Sequence, residues 1–283
     1  MCETSDSSDE GRSVVNSMID ATDAASFPWI DVLDVPVDLM TGREIRAWLV
    51  RQVAEGASCS QIVTLNPEYV MTARRDHDFA AILREAELAT IDGVGVSLAV
   101  RLLERDRASY ERVTGVALCW MLADISAETG DGLFLLGAAP GVAEKAGRAF
   151  QEAHPGAEIA GTWAGGSPDP ADDAETLGRI ADSGASVVLV AYGAPSQVAW
   201  IARNQDALSA AGVKVAVGIG GALDYISGNV PLAPPVVRKI GLEWVYRLVR
   251  EPWRWRRQLV LPVYAALVVR EAIRRRMPRR RLA

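Results

Sequence analysis

The sequence predicts an α/β protein. The expected core is a Rossmann-like, mostly parallel sheet, with a small N-terminal α/β part and a basic C-terminal helical appendage. Three observations point there. Apolar runs of strand length recur at 61–65, 88–91, 132–136, 186–191 and 214–217, separated by stretches with helical spacing. Several of these runs close on a glycine turn: Asp92-Gly93-Val94-Gly95, Gly137–Gly141, Gly193–Pro195 and Gly218–Gly221. Charge also divides along the chain. From Arg238 onward fourteen Lys/Arg face three Glu, a balance of +11, which leaves the first 237 residues with −17 of the net −6.

Residues 1–26 are rich in Ser, Asp and Glu and are expected to be disordered. They lack the basic and apolar regions of a secretory signal, so none is expected. Order is expected from Phe27, with Ile30–Leu39 as an edge strand or hairpin around Pro36 and Thr41 as the cap of a helix. Gln61–Leu65 reads as a strand, and Asn66-Pro67-Glu68 starts a helix with proline just inside it. That helix is expected to run on through Asp76-His77-Asp78. Leu88–Ile91 is the next strand, and helical spacing resumes through Leu98, Leu102 and Leu103. Gly132–Leu136, a weaker Glu158–Gly161, Ser186–Ala191 and Lys214–Val217 complete the strands. The core is thus expected over 27–237 and the appendage over 238–283.

With 49% hydrophobic and 23% charged residues, the composition is ordinary for a soluble α/β protein with a sizeable core. Cys2, Cys59 and Cys119 are odd in number and lack the paired spacing of zinc sites, so they read as free thiols in a reducing cytoplasm. His77 and His154 are the only histidines, and neither sits in a nucleophile or zinc arrangement. Neither Gly93-Val94-Gly95 nor Gly218-Ile219-Gly220 has the third glycine of a dinucleotide fingerprint. Asp76-x-Asp78 has the form of a metal-binding pair, but within one helix residues two apart point to different faces, and a solvated surface is the reading. Asp92 is different. It ends a strand, and open parallel sheets bind ligands at the carboxyl ends of their strands. An N-cap of the following helix is the competing reading.

Beyond Pro231–Pro235 come Trp253, Trp255, five arginines between Arg247 and Arg257, and the apolar stretch Leu259–Val269. Eleven apolar residues are too few to cross a bilayer. Flanked by Arg, Trp and Tyr, they fit a segment lying on an anionic membrane surface; a helix packed on the sheet with a solvated basic face is the alternative. Residues beyond Gln258 are expected to serve that attachment and to be separable from activity.

In order along the chain stand Thr64-Leu65-Asn66-Pro67-Glu68, Asp92-Gly93-Val94-Gly95, Arg112-x-x-Gly115, Leu135-Leu136-Gly137-x-x-Pro140-Gly141, His154-Pro155-Gly156, Gly193-x-Pro195-x-Gln197-x-x-Trp200, Gly218-x-Gly220-Gly221-Ala222-Leu223-Asp224 and Gly241-Leu242-Glu243-Trp244-x-Tyr246-Arg247. Together they resemble the WecG/TagA/CpsF family of bacterial glycosyltransferases (glycosyltransferase family 26). The likeness covers roughly Ile30–Arg257. Each motif alone is weak; eight in family order are specific.

The resemblance implies an inverting, metal-independent enzyme without cofactor. It would move N-acetylmannosamine, its uronic acid or glucose from a UDP-sugar to a polyprenyl-diphosphate-linked glycan acceptor, during cell-envelope polysaccharide synthesis. The expected location is the cytoplasm, peripheral on the inner face of the plasma membrane. No nucleic-acid partner is expected, and a homo-oligomer is left open. Asp92 would be the general base, Thr64 and Asn66 would bind sugar hydroxyls or orient it, and helix capping is their alternative role. Arg112 would neutralise the leaving diphosphate; a solvated helix arginine beside Glu111 is the alternative. Gly93, Gly137, Pro140, Gly141, Gly193, Pro195, Gly220 and Gly221 would bring backbone N–H groups to the donor. Gln197 would reach the donor sugar or lie on a helix surface, and Asp224 would bind uridine or cap a helix. Arg247, Arg254 and Arg257 would fold over the site toward the diphosphates. The family usually has Lys-Gln-Glu where this chain has Ser196-Gln197-Val198, which loses a charge pair and bears on donor choice. A non-catalytic nucleotide-sugar or polyprenyl-phosphate binding module is the rival function.

Overall fold

The computed structural model describes residues 27–104, 109–234, 245–246, 248, 255 and 259–276. The segment 1–26, expected to be disordered, lies outside the described residues, as do Arg247, Arg254 and Arg257.

The first described element is a hairpin, β1 (Trp29–Val32) and β2 (Val35–Asp38), paired antiparallel. Helix α1 (Gly42–Glu55) follows behind a capping box, in which Thr41 accepts from Glu44 N–H and the Glu44 carboxylate returns to Thr41 N–H at 2.7 Å. The chain then alternates as predicted: β3 (Ser60–Leu65), α2 (Pro67–Ala73), α3 (His77–Glu85), β4 (Leu88–Ile91), α4 (Val94–Leu103), α5 (Gly115–Thr129), β5 (Leu133–Gly137), α6 (Val142–Ala153), β6 (Ile159–Trp163), α7 (Asp173–Ser183), β7 (Val187–Ala191), α8 (Ser196–Ala210), β8 (Val215–Gly218) and α9 (Ala222–Ile226). A last helix, α10, spans Val260–Arg276.

The six strands β3–β8 form one parallel sheet in the order β4-β3-β8-β7-β5-β6. Side chains alternate between its faces, as strand periodicity requires. Leu133, Leu135, Val187, Leu189, Val215 and Val217 share a core with α1, α5, α6 and α9. Phe134, Leu136, Val188, Val190 and Ala216 pack on the opposite face, with Ile180 of α7 and Trp200, Ile201 and Leu208 of α8. A third cluster joins Val63, Leu65 and Ile91 to the hairpin, α2, α3, α4 and α10. Because every strand is parallel, all six carboxyl ends share one edge of the sheet. The loop after β5 leads to the first face and the loop after β7 to the second, so a crevice opens between these neighbouring strands.

Two expectations change. The helix after Pro67 ends at Ala73, and Asp76 instead starts α3 as its cap, accepting from Phe79 N–H at 3.0 Å. The Asp76-x-Asp78 pair is therefore a helix start rather than two positions inside one helix. The second change is at Leu259–Val269, where the alternative reading of a packed helix holds, on helices and hairpin rather than on the sheet. Tyr264, Val268, Glu271 and Ala272, at spacings of four, three and one, face inward from α10. Tyr264 Oη donates to Gly95 O at 3.3 Å, and burial pushes its phenol pKa well up. The Glu271 carboxylate accepts Leu33 N–H at 3.2 Å and pairs with Arg275, which itself donates to Asp31 O at 2.6 Å. The segment after Gln258 is thus part of the folded body. Its outward side carries the exposed Leu259, Val263, Val269 and Ile273 beside Arg270, Arg274 and Arg276.

Candidate active site

The site is built where the strands end. Asp92 follows β4 directly, half-buried, with its N–H on Leu65 O at 2.9 Å, so the ends of β3 and β4 are tied together. The N-cap of α4 is the next residue, Gly93, at φ 83°, a left-handed conformation that glycine adopts without strain. Asp92 therefore does not hold the capping position its alternative reading requires. The turn is also tightly set, because a Cβ on Gly95 would meet Pro67 Cγ at 2.5 Å.

Thr64 and Asn66 have local work. Thr64 Oγ1 donates to Gly218 O at 3.0 Å across the β3–β8 boundary, and its side chain is buried. Asn66 caps α2, its Oδ1 accepting Tyr69 N–H at 3.1 Å. Capping, the alternative reading of Asn66, is what its side chain does.

Helix starts differ in how they are capped. Helices α1, α2, α3 and α5 are capped by Thr41, Asn66, Asp76 and Thr114. By contrast α4, α6 and α8 begin at Gly93, Gly141 and Pro195 and receive no side-chain cap. Uncapped helix amides with the positive end of the helix dipole suit an anion. Pro140 is exposed just before Gly141, and Gly137 lies at the end of β5, paired with Ala191 of β7.

Arg112 is half-buried in an extended segment three residues before α5, not on a helix, and the Glu111 carboxylate beside it accepts Gly42 N–H at 2.9 Å. Gly115, the first residue of α5, is pressed on the β8 turn: a Cβ there would lie 3.3 Å from Ile219 O. The start of α5, three residues on from Arg112, thereby adjoins the turn carrying Gly220 and Gly221. Asp224 lies half-buried in the first turn of the short α9, and its backbone carbonyl accepts Val230 N–H.

Gln197 departs most from expectation. It is neither on the helix surface nor open to a sugar, being 1% exposed. Its Oε1 accepts Gly220 N–H at 2.9 Å and Gly193 N–H at 3.2 Å, while Nε2 donates to Tyr69 Oη at 2.8 Å. Those two glycine amides, expected to face the donor, are thus turned inward. Val198 beside it is fully buried in the apolar cluster with Leu65 and Ile91. A carboxylate at that position would need desolvation, so the departure at Val198 is a packing position rather than a missing surface charge, while Ser196 is half-buried. Sequence spacing does not show that the amide turns inward, because its partners come from three separate segments.

Among the described residues no group of three His, Cys, Asp or Glu is gathered closely enough to hold a metal ion. Nor is any helix among them long and apolar enough to cross a membrane.

A parallel sheet whose carboxyl edge carries a carboxylate and uncapped helix starts is the frame of an α/β transferase. The chain belongs to the glycosyl transferase WecG/TagA/CpsF family, whose pattern it matches over residues 30–278. It is 35% identical over 209 residues to an N-acetylglucosaminyldiphosphoundecaprenol N-acetyl-beta-D-mannosaminyltransferase of Bacillus spizizenii strain W23, covering 74% of this chain and 78% of that protein. A protein of the same description from Bacillus subtilis strain 168 is 33% identical over 210 residues, covering 74% and 79%.

Proposed function

We propose that this chain is an inverting, metal-independent transferase that moves a sugar from a UDP-sugar to a polyprenyl-diphosphate-linked glycan during cell-envelope polysaccharide synthesis. N-acetylmannosamine is the favoured sugar because both related enzymes carry it in their descriptions; its uronic acid and glucose are the other candidates. N-acetylglucosaminyldiphosphoundecaprenol is the favoured acceptor on the same ground.

In the proposed reaction Asp92 accepts the proton of the acceptor hydroxyl as that oxygen attacks the anomeric carbon. The bond from that carbon to the β-phosphate oxygen breaks on the opposite face, and UDP leaves with the electron pair. Arg112 and the uncapped start of α4 offset the charge that develops on the diphosphate. The observation carrying this reading is Asp92 itself, held at a strand end and off the capping position, next to the uncapped start of α4. Peripheral attachment at the inner membrane face is part of the proposal. It is supported by Leu259 and the outward side of α10, where Val263, Val269 and Ile273 are exposed beside arginines that each contribute about 1 kcal/mol near anionic lipid.

The test is incubation with UDP-N-acetylmannosamine and a short-chain polyprenyl-diphosphate-linked N-acetylglucosamine. The expected result is UDP release with a disaccharide lipid of inverted anomeric configuration. Tight UDP binding without transfer from any of the three donors would favour the non-catalytic binding module.

A further inference from the structure

We infer that Gln197 is a positioning residue that staples three loops of the donor site together and does not touch the sugar. The inference rests on the transferase reading above. Glycine turns are pliable, whereas a site for a diphosphate works best when its donors are already in place. The turn after β7 contributes Gly193 N–H and the turn after β8 contributes Gly220 N–H to the same Gln197 oxygen. Those two strands are neighbours, so one carbonyl fixes the spacing of the two turns above them. The amide nitrogen then reaches Tyr69 Oη on α2, and the start of α2 is fixed in turn by Asn66. The loop after β3 is thereby joined to the other two.

The orientation of the amide follows from its partners, since two N–H groups need an acceptor and only Oε1 supplies one. Room for it is made by Gly218, where a Cβ would stand 2.9 Å from Gln197 Cγ and Nε2. With the side chain sealed to 1% exposure, a sugar hydroxyl has no open approach to the amide.

Contact and stapling make different demands on ligand affinity. A residue that touches the sugar affects binding of UDP-sugar and leaves UDP alone. A staple that sets the turns affects both equally. The experiment is calorimetric titration of the full chain with UDP and with UDP-N-acetylmannosamine, using wild type, Gln197→Met, Tyr69→Phe and the double variant. Methionine keeps the length of the side chain and removes its hydrogen bonds. The expected result is that Gln197→Met weakens both ligands by the same factor, about tenfold, which corresponds to about 1.4 kcal/mol. Tyr69→Phe shifts both in the same direction by less, and the double variant is no worse than Gln197→Met alone. Circular dichroism checks that each variant is folded, and Tyr69→Phe keeps the test open if Gln197→Met is not. Loss confined to UDP-N-acetylmannosamine, or unchanged affinity for both ligands, overturns the staple while leaving the transferase reading intact. Failure of wild type to bind either ligand overturns both.

Discussion

Ending the chain after Gln258 should unfold more than an appendage. The cut removes α10, whose Tyr264 and Val268 are 3% and 4% exposed. Each such side chain contributes about 1.5–3 kcal/mol by leaving water. Leu33 N–H, in a residue only 4% exposed, also loses its Glu271 acceptor, at a cost of about 1–3 kcal/mol. The loss is on the order of 5 kcal/mol, against the roughly 5–15 kcal/mol that hold a domain together. With an m-value of about 3 kcal/mol/M, the urea midpoint should fall by about 1.5 M. Transfer to a water-soluble acceptor should fall too, because Tyr264 rests on Gly95, three residues from Asp92. The assay compares urea unfolding by tryptophan fluorescence with turnover for chains 1–283 and 1–258. Equal midpoints and equal turnover would refute the reasoning and restore a separable tail.

Asp92→Asn should lower turnover about 10²–10⁴-fold, the usual general-base contribution, with UDP affinity by titration nearly unchanged; near-normal turnover removes Asp92 from the chemistry. On the metal-free reading, EDTA should leave activity intact, and loss restored by Mn²⁺ or Mg²⁺ would overturn it. Gly95→Ala drives a Cβ to within 2.5 Å of Pro67 Cγ and should destabilise the fold by about 1–3 kcal/mol, seen as a lower melting temperature. Asp38 is held above the usual carboxylate range by burial, partly offset by the Ala89 N–H it accepts at 2.7 Å. A raised folded-state pKa favours folding when the group is protonated, and that advantage is lost as pH rises through it. Asp38→Asn should therefore raise the melting temperature at pH 7, and the gain should shrink as pH falls toward 4.

Strands were the most legible part of the chain. Leu88–Ile91 has the bounds read from its apolar run, and the other strands shift by a residue or two, because strand length and flanking glycines are local signals. Asp76 was misread for a local reason as well. Arg74 and Arg75 continue a helical pattern, and only the bond from Phe79 N–H to the Asp76 side chain reveals a new start. The packing of the tail onto the body was not legible, for a reason outside its own sequence. Its inward residues Tyr264, Val268, Glu271 and Ala272 already had helical spacing, but the surface that receives them is assembled from the hairpin, α2 and α4. Arginines beside apolar residues look alike whether the apolar side meets lipid or protein. Gln197 shares that difficulty, since its partners are supplied by β7, β8 and α2 together.

The contacts between α10 and the hairpin also set a schedule. Leu33 and Glu271 are 238 positions apart, and Asp31 and Arg275 are 244 apart. Contacts of such separation form late, after the loop between them has been closed. During synthesis the hairpin emerges first among the described elements, yet the helix that covers it emerges last. Until then the apolar cluster that Ile30, Val32, Leu33 and Val37 share with Tyr264, Val268 and Ala272 is incomplete. A nascent chain stalled short of residue 276 thus carries an open apolar edge, a species prone to aggregation and a natural client for chaperones.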